Sequence, residues 1–426
     1  MTSPSPVFLR RGAQAVGLTA AVVFTTLFLV LSLTSRLTDL QVYRIGGEAI
    51  LHHRDLYAQV APRSGLPFTY TPFAAILFVP LSELPVQVSQ AVWTALLVVS
   101  LYLFCGISYR VARGPAASRP ALVYGSVAGF ALLLGPIRHN FSLGQVNIML
   151  ALLVSVDLFT GQRRVPRGIL IGIAAGVKLT PLIFVPYLAL TGRWRIALHA
   201  VASFAATIAA GFAVSPHSSS AYWGHMFLDA SHVGGIPYVG NQSLLGVLSR
   251  LMAGADNARP VYQSLALAIV LIGMAASVAL ARLGEDVLGG LACALTGLLV
   301  SPISWDHHWV WMVPMLLVLF LHPARPAWGR VYAVACGVLL VLGPIWWVPR
   351  TRNVEFTHHG WQLVAANCYF GAGALLLVLL ATRALARAGR VSIQPSGALV
   401  NVLGGVRRTP SRSAHTQKSV LGKVRA

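Results

Sequence analysis

Stretches of about 20 apolar residues recur along the whole sequence, and that is the length a helix needs to cross the hydrocarbon core of a bilayer. No other feature constrains the fold as strongly. A soluble domain of 426 residues with 56% hydrophobic and only 10% charged residues would lack the polar surface to cover itself. The expected class is an all-α integral membrane protein with about 12 transmembrane helices. Residues 12–33 follow Arg10 and Arg11 in the manner of a signal sequence. The stretch is too long for an ordinary signal core and lacks a small-residue cleavage site, so it reads as a retained anchor.

The net charge of +21 invites a nucleic-acid reading, but its placement opposes one. The Arg and Lys residues lie mostly in short loops between apolar spans and in the C-terminal tail, which is the positive-inside pattern with attraction to anionic lipid. Cys105, Cys293, Cys336 and Cys368 all fall in apolar spans without metal-ligand spacing, so neither a disulfide nor a zinc site is expected.

With Arg10 and Arg11 placed in the cytoplasm, the first span delivers residues 34–72 outside. Residues 73–81 are too short to cross and read as an interfacial or re-entrant helix. Spans over 88–109, 122–136 and 146–160 then return to Arg110, Arg113 and Arg119, expose residues 138–145, and come back to Arg163, Arg164 and Arg167. Residues 168–190 carry basic clusters at both ends and are interrupted by Lys178, Thr180 and Pro181. A hairpin of two half-helices with Lys178 near its tip satisfies both clusters, because broken helices are tolerated at depth where they line a polar cavity. A simple crossing is the alternative and would invert everything downstream. Spans over 196–214, 260–281, 287–303, 309–321, 331–348 and 361–381 follow. Residues 1–385 form the membrane domain, and 386–426 form a basic, disordered cytoplasmic tail. No duplicated half is visible, which weakens an inverted-repeat transporter.

In this layout eight of the 11 acidic residues lie outside or at the outer interface, with Arg138, His139, Gln145, Asn147, Asn241, His307, His308, His358 and His359. An active or binding site on that face explains the clustering. Asp39 directly follows the first span, where a lipid head group and a water-soluble acceptor could meet; the plainer reading is a helix cap. Lys178 within an apolar run calls for an anionic partner such as a lipid phosphate, or it snorkels to the interface. Asp306-His307-His308 suggests a metal at first sight. Neighbouring helical side chains diverge by about 100°, however, so donors to a phosphate or sugar are favoured over ligands, and no metal or cofactor is expected. His358 and His359 carry the same ambiguity. The sequons at Asn140 and Asn241 read as incidental.

The segments Asp39-Leu40-Gln41-Val42-Tyr43-Arg44, Leu66-Pro67-Phe68-Thr69-Tyr70-Thr71-Pro72-Phe73, Gly144-Gln145-Val146-Asn147, Gly176-Val177-Lys178-Leu179-Thr180-Pro181, Gly240-Asn241-Gln242-Ser243 and Ser304-Trp305-Asp306-His307-His308 occur in that order. As a set, over roughly residues 12–385, they resemble glycosyltransferase family 87, the actinobacterial GT-C membrane mannosyltransferases that use polyprenyl-phosphate mannose. Thr71 stands where the family pattern leads one to expect a proline. The resemblance implies a GT-C fold and an inverting transfer to a mannolipid, forming an α-1,2 mannoside as in phosphatidylinositol mannoside, lipomannan or lipoarabinomannan assembly. It makes Asp39 the base. Lys178, Arg138, His139, His307, His308 and Asp306 become candidates for the donor phosphate and sugar, and Tyr43, Tyr70, Gln145, Asn147, Asn241, His358 and His359 for acceptor or loop contacts. The implied partners are the donor lipid, the mannolipid and the bilayer, without nucleic acid. A transporter or flippase of polyprenyl-linked sugars, needing no base, is the rival reading; a structural subunit of an envelope complex is a third.

Overall fold

The structure, a computed structural model, describes residues 37–62, 64–114, 121–161, 164–350 and 354–393, with 12, 14–19, 21–23, 25–27 and 30 of the first apolar stretch. Arg10, Arg11, Arg119, Arg163, the start of the expected external loop (34–36) and the tail from 394 lie outside the described residues. The final helix, Cys368–Ile393, runs past residue 386, where the tail was expected to begin.

The described chain is helical, with two isolated β-bridges and no named strand. Among the described residues five helices are long and apolar enough to cross a membrane: Val86–Arg113, Trp194–Val214, Ala255–Arg282, Gly329–Trp346 and Cys368–Arg390. Apolar side chains such as Leu198, Leu267, Leu271 and Val378 stand exposed on them, a favourable arrangement only in an apolar solvent. The expected dozen is not recovered as a dozen full-length spans. Much of the remaining apolar sequence forms shorter helices, among them Pro72–Glu83, Asn147–Phe159, Asp286–Val300 and Asp306–Leu321. The expected span over 122–136 bends by 87° between Leu122–Ala131 and Gly135–Leu143. Pro136, at the start of the second helix, has no amide hydrogen to continue the first.

Pro72–Glu83 starts where Thr71 caps it, its hydroxyl accepting from the Ala74 amide at 3.1 Å, with Pro72 in the first turn. At 12 residues it is about 18 Å long. That is too short to cross, as the sequence led one to expect.

Residues 168–190 fold as two half-helices, Ile169–Val177 and then Thr180–Ile183 running into Phe184–Leu190, with Lys178 extended at the break. Their course follows from three glycines four residues apart. A side chain at Gly168 would collide with the Ile196 carbonyl, at Gly172 with Ser203, and at Gly176 with Thr207. The first half-helix therefore runs alongside Trp194–Val214 from that helix's first turn toward its end, packed backbone to backbone as small residues permit. The second half must come back, because the Arg193 amide bonds the Leu188 carbonyl at 2.8 Å just before Trp194–Val214 begins. Both ends of the segment thus lie at one end of the bundle. A simple crossing would place them at opposite ends.

That end also gathers charged pairs. Arg193 pairs with Asp286, Arg383 with Glu285 at 2.6 Å, and Arg387 with Glu285 at 3.1 Å, while Arg167 bonds the carbonyl of Asp157 at 2.8 Å. At the other end the chain between Val239 and Ser243 pairs with residues 304–306. Gln242 N bonds Ser304 O and Asp306 N bonds Gly240 O, each at 2.8 Å.

Candidate active site

Asp39 is the second residue of the helix Thr38–Leu51. Leu37 precedes that helix in the left-handed region (φ 35°), and no side chain caps it. The cap reading therefore has no hydrogen bond behind it. The Asp39 carboxylate instead accepts from Gln145 Nε2 at 2.7 Å. Gln145 is aimed there by Gly144, whose left-handed backbone ends Gly135–Leu143 and whose carbonyl accepts from the Trp93 indole at 2.7 Å. The other face of the amide, Gln145 Oε1, accepts from Tyr43 (3.1 Å), Tyr70 (3.3 Å) and Asn147 (3.2 Å). Asn147 Oδ1 in turn accepts from the Lys178 ammonium at 3.0 Å, and a second Lys178 hydrogen reaches His308 Nε2 at 2.8 Å. Five distant stretches of sequence thus form one chain of hydrogen bonds, from a carboxylate to an ammonium.

Asp39, Tyr70, Gln145, Lys178 and His308 line a cavity of about 440 Å³ that also touches Tyr222, Asp229, His232 and Trp305. An apolar slot adjoins it, sharing Thr180, Ile183, Gly297, Ser301 and His308, and continues between Leu150, Phe184 and Leu298. The combined shape, polar at one end and apolar at the other, suits an amphiphile.

A second group stands beside the first. His139 Nδ1 lies 2.7 Å from Asp306 Oδ2, and His307 Nδ1 lies 3.6 Å from Asp306 Oδ1. Asn140 and Asn147 both donate to the His307 carbonyl, which fixes this turn against the helix carrying His139. The ligand atoms of His139, Asp306 and His307 fall within 4.8 Å of one another, so these three could hold a metal ion. In the structure the closest pair is instead joined by a hydrogen bond. His308 faces Lys178, so the adjacent histidines serve different groups, as their divergence on a helical turn requires.

The two carboxylates differ in character. Burial lifts Asp39 above the ordinary aspartate value, against the opposing pull of His307, the Gln145 hydrogen bond, Lys178 and His139. Burial acts on Asp306 too, but His139 and His307 overcome it and hold that carboxyl at about 2. Asp39 therefore has the higher proton affinity of the two, and Asp306 is held ionised beside the imidazoles of His139 and His307. Gln145→Ala removes a donor that favours ionised Asp39, so the Asp39 pKa rises. The acid limb of the kcat/KM pH profile should therefore move to higher pH, with the plateau above it kept. An unmoved limb would detach Asp39 from that ionisation.

Other expected contacts lie elsewhere. The Arg138 guanidinium is taken up by the carbonyls of Leu133 and Val341 and lines neither cavity nor slot. Asn241 is fully buried, its amide bonded to Ile236 O, Pro302 O and Ser304 N, so it braces the loop pairing. His358 is half-buried and His359 exposed, their rings against the Pro349 and Thr357 carbonyls, away from the cavity wall. Two buried groups escaped the sequence reading. Asn140 looked like part of an incidental sequon. Arg250 donates to Asn367 Oδ1 and to the carbonyls of Pro237, Tyr238 and Asn241, tying the loop beside the cavity to the last helices. Arg250 reads as an ordinary loop-proximal arginine, and only its partners, up to 117 residues away, give it meaning.

Comparison with known proteins bears on this arrangement. Residues 68–302 match the sequence profile of Glycosyltransferase family 87. A polyprenol-phosphate-mannose-dependent alpha-(1-2)-phosphatidylinositol mannoside mannosyltransferase of Mycobacterium tuberculosis is 33% identical over 370 residues, 82% of this chain and 85% of the relative. Its namesake in Mycolicibacterium smegmatis is 34% identical over 367 residues, 80% and 83% of the two chains. A polyprenol-phosphate-mannose-dependent alpha-(1-2)-phosphatidylinositol pentamannoside mannosyltransferase of M. tuberculosis is 34% identical over 344 residues, 75% and 78%. No solved structure matches the chain.

Proposed function

The chain belongs to glycosyltransferase family 87 and is a membrane hexosyltransferase, and from that premise we propose that it moves mannose from polyprenyl-phosphate mannose to a mannosylated phosphatidylinositol, forming an α-1,2 linkage on the outer face of the membrane. One observation carries the reading. A half-buried carboxylate with raised proton affinity and a lysine ammonium line the same cavity of about 440 Å³, linked through Gln145 and Asn147, with a narrow, largely apolar slot adjoining it.

The chemistry follows from those groups. Asp39 accepts the proton of the acceptor hydroxyl as its oxygen attacks the anomeric carbon. The bond from that carbon to the phosphate oxygen breaks on the opposite face, and its electron pair leaves with the lipid phosphate. A β-linked donor thus gives an α-mannoside in one displacement. Negative charge grows on the departing phosphate, and Lys178, with two of its hydrogens held by Asn147 and His308, has the third for it. The ring of Tyr70 lies 5.7 Å from the ammonium and adds a cation–π contact. His307, buried with neither ring nitrogen hydrogen-bonded, is a further donor or acceptor for sugar or phosphate. The test is transfer by the purified chain: polyprenyl phosphate should appear in step with mannosylated lipid, and donor consumption without mannolipid would overturn the reading.

Orientation has its own test. The bundle end carrying Asp39, residues 215–242 and the 304–308 turn is assigned to the outside, and the end with Arg193, Glu285 and Arg383 to the cytoplasm. Single cysteines placed within 215–242 should react with an impermeant thiol reagent added to intact cells, and cysteines placed after Arg390 should not. The opposite labelling would put the reaction on the cytoplasmic face.

A further inference from the structure

Trp305 has neighbours on two sides. It lines the cavity that holds Asp39 and Lys178, and it also packs against Tyr238, with ring centroids 6.1 Å apart at 66°. Tyr238 meets Trp346 at 6.3 Å, and Trp346 meets the imidazole of His139 edge-on at 5.1 Å. A row of three aromatic rings therefore leaves the cavity wall and rejoins the reacting cluster at His139, which is bonded to Asp306. Arg350 closes the row, its guanidinium 5.2 Å from the Trp346 ring centroid and one hydrogen bonded to the Trp346 carbonyl at 2.8 Å. The backbone makes room for the rings: a Cβ at Gly234 would come within 2.9 Å of Trp305, and one at Gly240 within 2.9 Å of Tyr238. Trp305 and Trp346 are half-buried and Tyr238 is exposed, so all three keep ring surface open to a ligand.

Trp and Tyr gather at membrane interfaces as anchors, and a belt would explain single rings facing lipid. It does not explain three rings packed in series, bordered by an arginine and a histidine, that run from the cavity wall at Trp305 to the Asp306-bonded imidazole of His139. We propose that this row is a binding site for the mannosyl residues of the acceptor, which rests on the reading of the reaction given above. A mannopyranose ring has a face of C–H bonds that packs on an aromatic ring and a rim of hydroxyls that needs donors and acceptors. Tyr238, Trp305 and Trp346 supply the first, and Arg350 and His139 the second. The direction of approach agrees. Trp305 belongs both to the wall of the cavity that holds Asp39 and Lys178 and to the row, on the side away from the narrow slot at Ile183, Gly297 and Leu298, which it does not line.

The test uses the full chain in lipid nanodiscs with Trp346→Ala, Trp346→Phe and Arg350→Gln. Trp346→Ala should raise the KM for a mannosylated phosphatidylinositol about tenfold, the loss expected for one aromatic contact, and leave the KM for polyprenyl-phosphate mannose unchanged. Trp346→Phe should restore most of the affinity. Arg350→Gln, at an exposed position, should shift the acceptor KM in the same direction. Saturation-transfer NMR with soluble α-1,2-mannobiose should detect binding to the unaltered chain and its loss in Trp346→Ala. That readout stands apart from transfer: mannobiose binding by a chain that fails to transfer mannose would sink the reaction and keep the site. A rise in donor KM instead, unchanged constants for both substrates, or mannobiose binding indifferent to Trp346→Ala would overturn the proposal.

Discussion

Asp39→Asn lowers mannose transfer by roughly two to four orders of magnitude, the usual range for removal of a general base. The substitution keeps size and shape, and the new amide oxygen can still accept from Gln145 Nε2, which now stands 2.7 Å from the carboxylate. Only the capacity to take up a proton goes. Folding should be unaffected, because the carboxylate caps no helix in the structure. The plain cap reading predicts near-normal transfer, so a single substitution separates the two accounts. Asp306→Asn is the control. Its carboxylate is bonded to His139 and remains ionised to low pH, a role in orientation that an amide partly fulfils, so this variant should be impaired less than Asp39→Asn. Inactive Asp306→Asn beside active Asp39→Asn would reverse the roles assigned here.

Lys178→Ala should weaken donor binding by at least about thirtyfold, corresponding to about 2 kcal/mol, the low end for deleting one partner of a buried charge pair. Lys178→Arg should recover part of this, since the charge survives while the guanidinium cannot reproduce the ammonium's fork to Asn147 and His308. Binding of polyprenyl-phosphate mannose, measured by displacement of a fluorescent polyprenyl phosphate, distinguishes affinity from turnover. Normal donor binding by Lys178→Ala would move the phosphate contact to His307, whose ring nitrogens are buried and without hydrogen-bond partners. Arg138, an obvious substitute from sequence position alone, is already occupied by the Leu133 and Val341 carbonyls.

What could be read in the residues follows a physical division. Hydropathy over 20 residues is a local property, so the membrane class and the short helix at Pro72–Glu83 were legible. The hairpin at 168–190 was legible because positive charge at both ends conflicts with a crossing, and the glycine contacts along Trp194–Val214 resolve that conflict in its favour. Span count was not legible, because composition does not reveal where an apolar run breaks. The run over 122–136, expected as one span, is bent into two short pieces before Pro136. The short motifs identified Gln145, Asn147, Lys178 and His308 as a set, yet gave no hint that they form one hydrogen-bonded chain, since the partners of Lys178, 31 and 130 residues away, leave no periodic trace. Arg138 and His358 illustrate the opposite error: a polar residue at the expected level of the bundle can spend its donors on nearby carbonyls and never face the cavity. Tyr238 and Trp346 were overlooked because single aromatic residues near span ends look like a belt until their mutual packing is known.

The most direct measurement of the central claim is the structure of the product. Purified protein in nanodiscs, given β-linked polyprenyl-phosphate [13C]mannose and a mannosylated phosphatidylinositol, should yield free polyprenyl phosphate and one new labelled mannose. NMR of the isolated lipid should show that sugar α-linked to a 2-hydroxyl, the outcome of a single inverting displacement with Asp39 as base. A β-linked product would contradict the one-step mechanism, and labelled donor moved across the bilayer intact, with no mannolipid formed, would make the chain a carrier of the lipid-linked sugar and not its transferase.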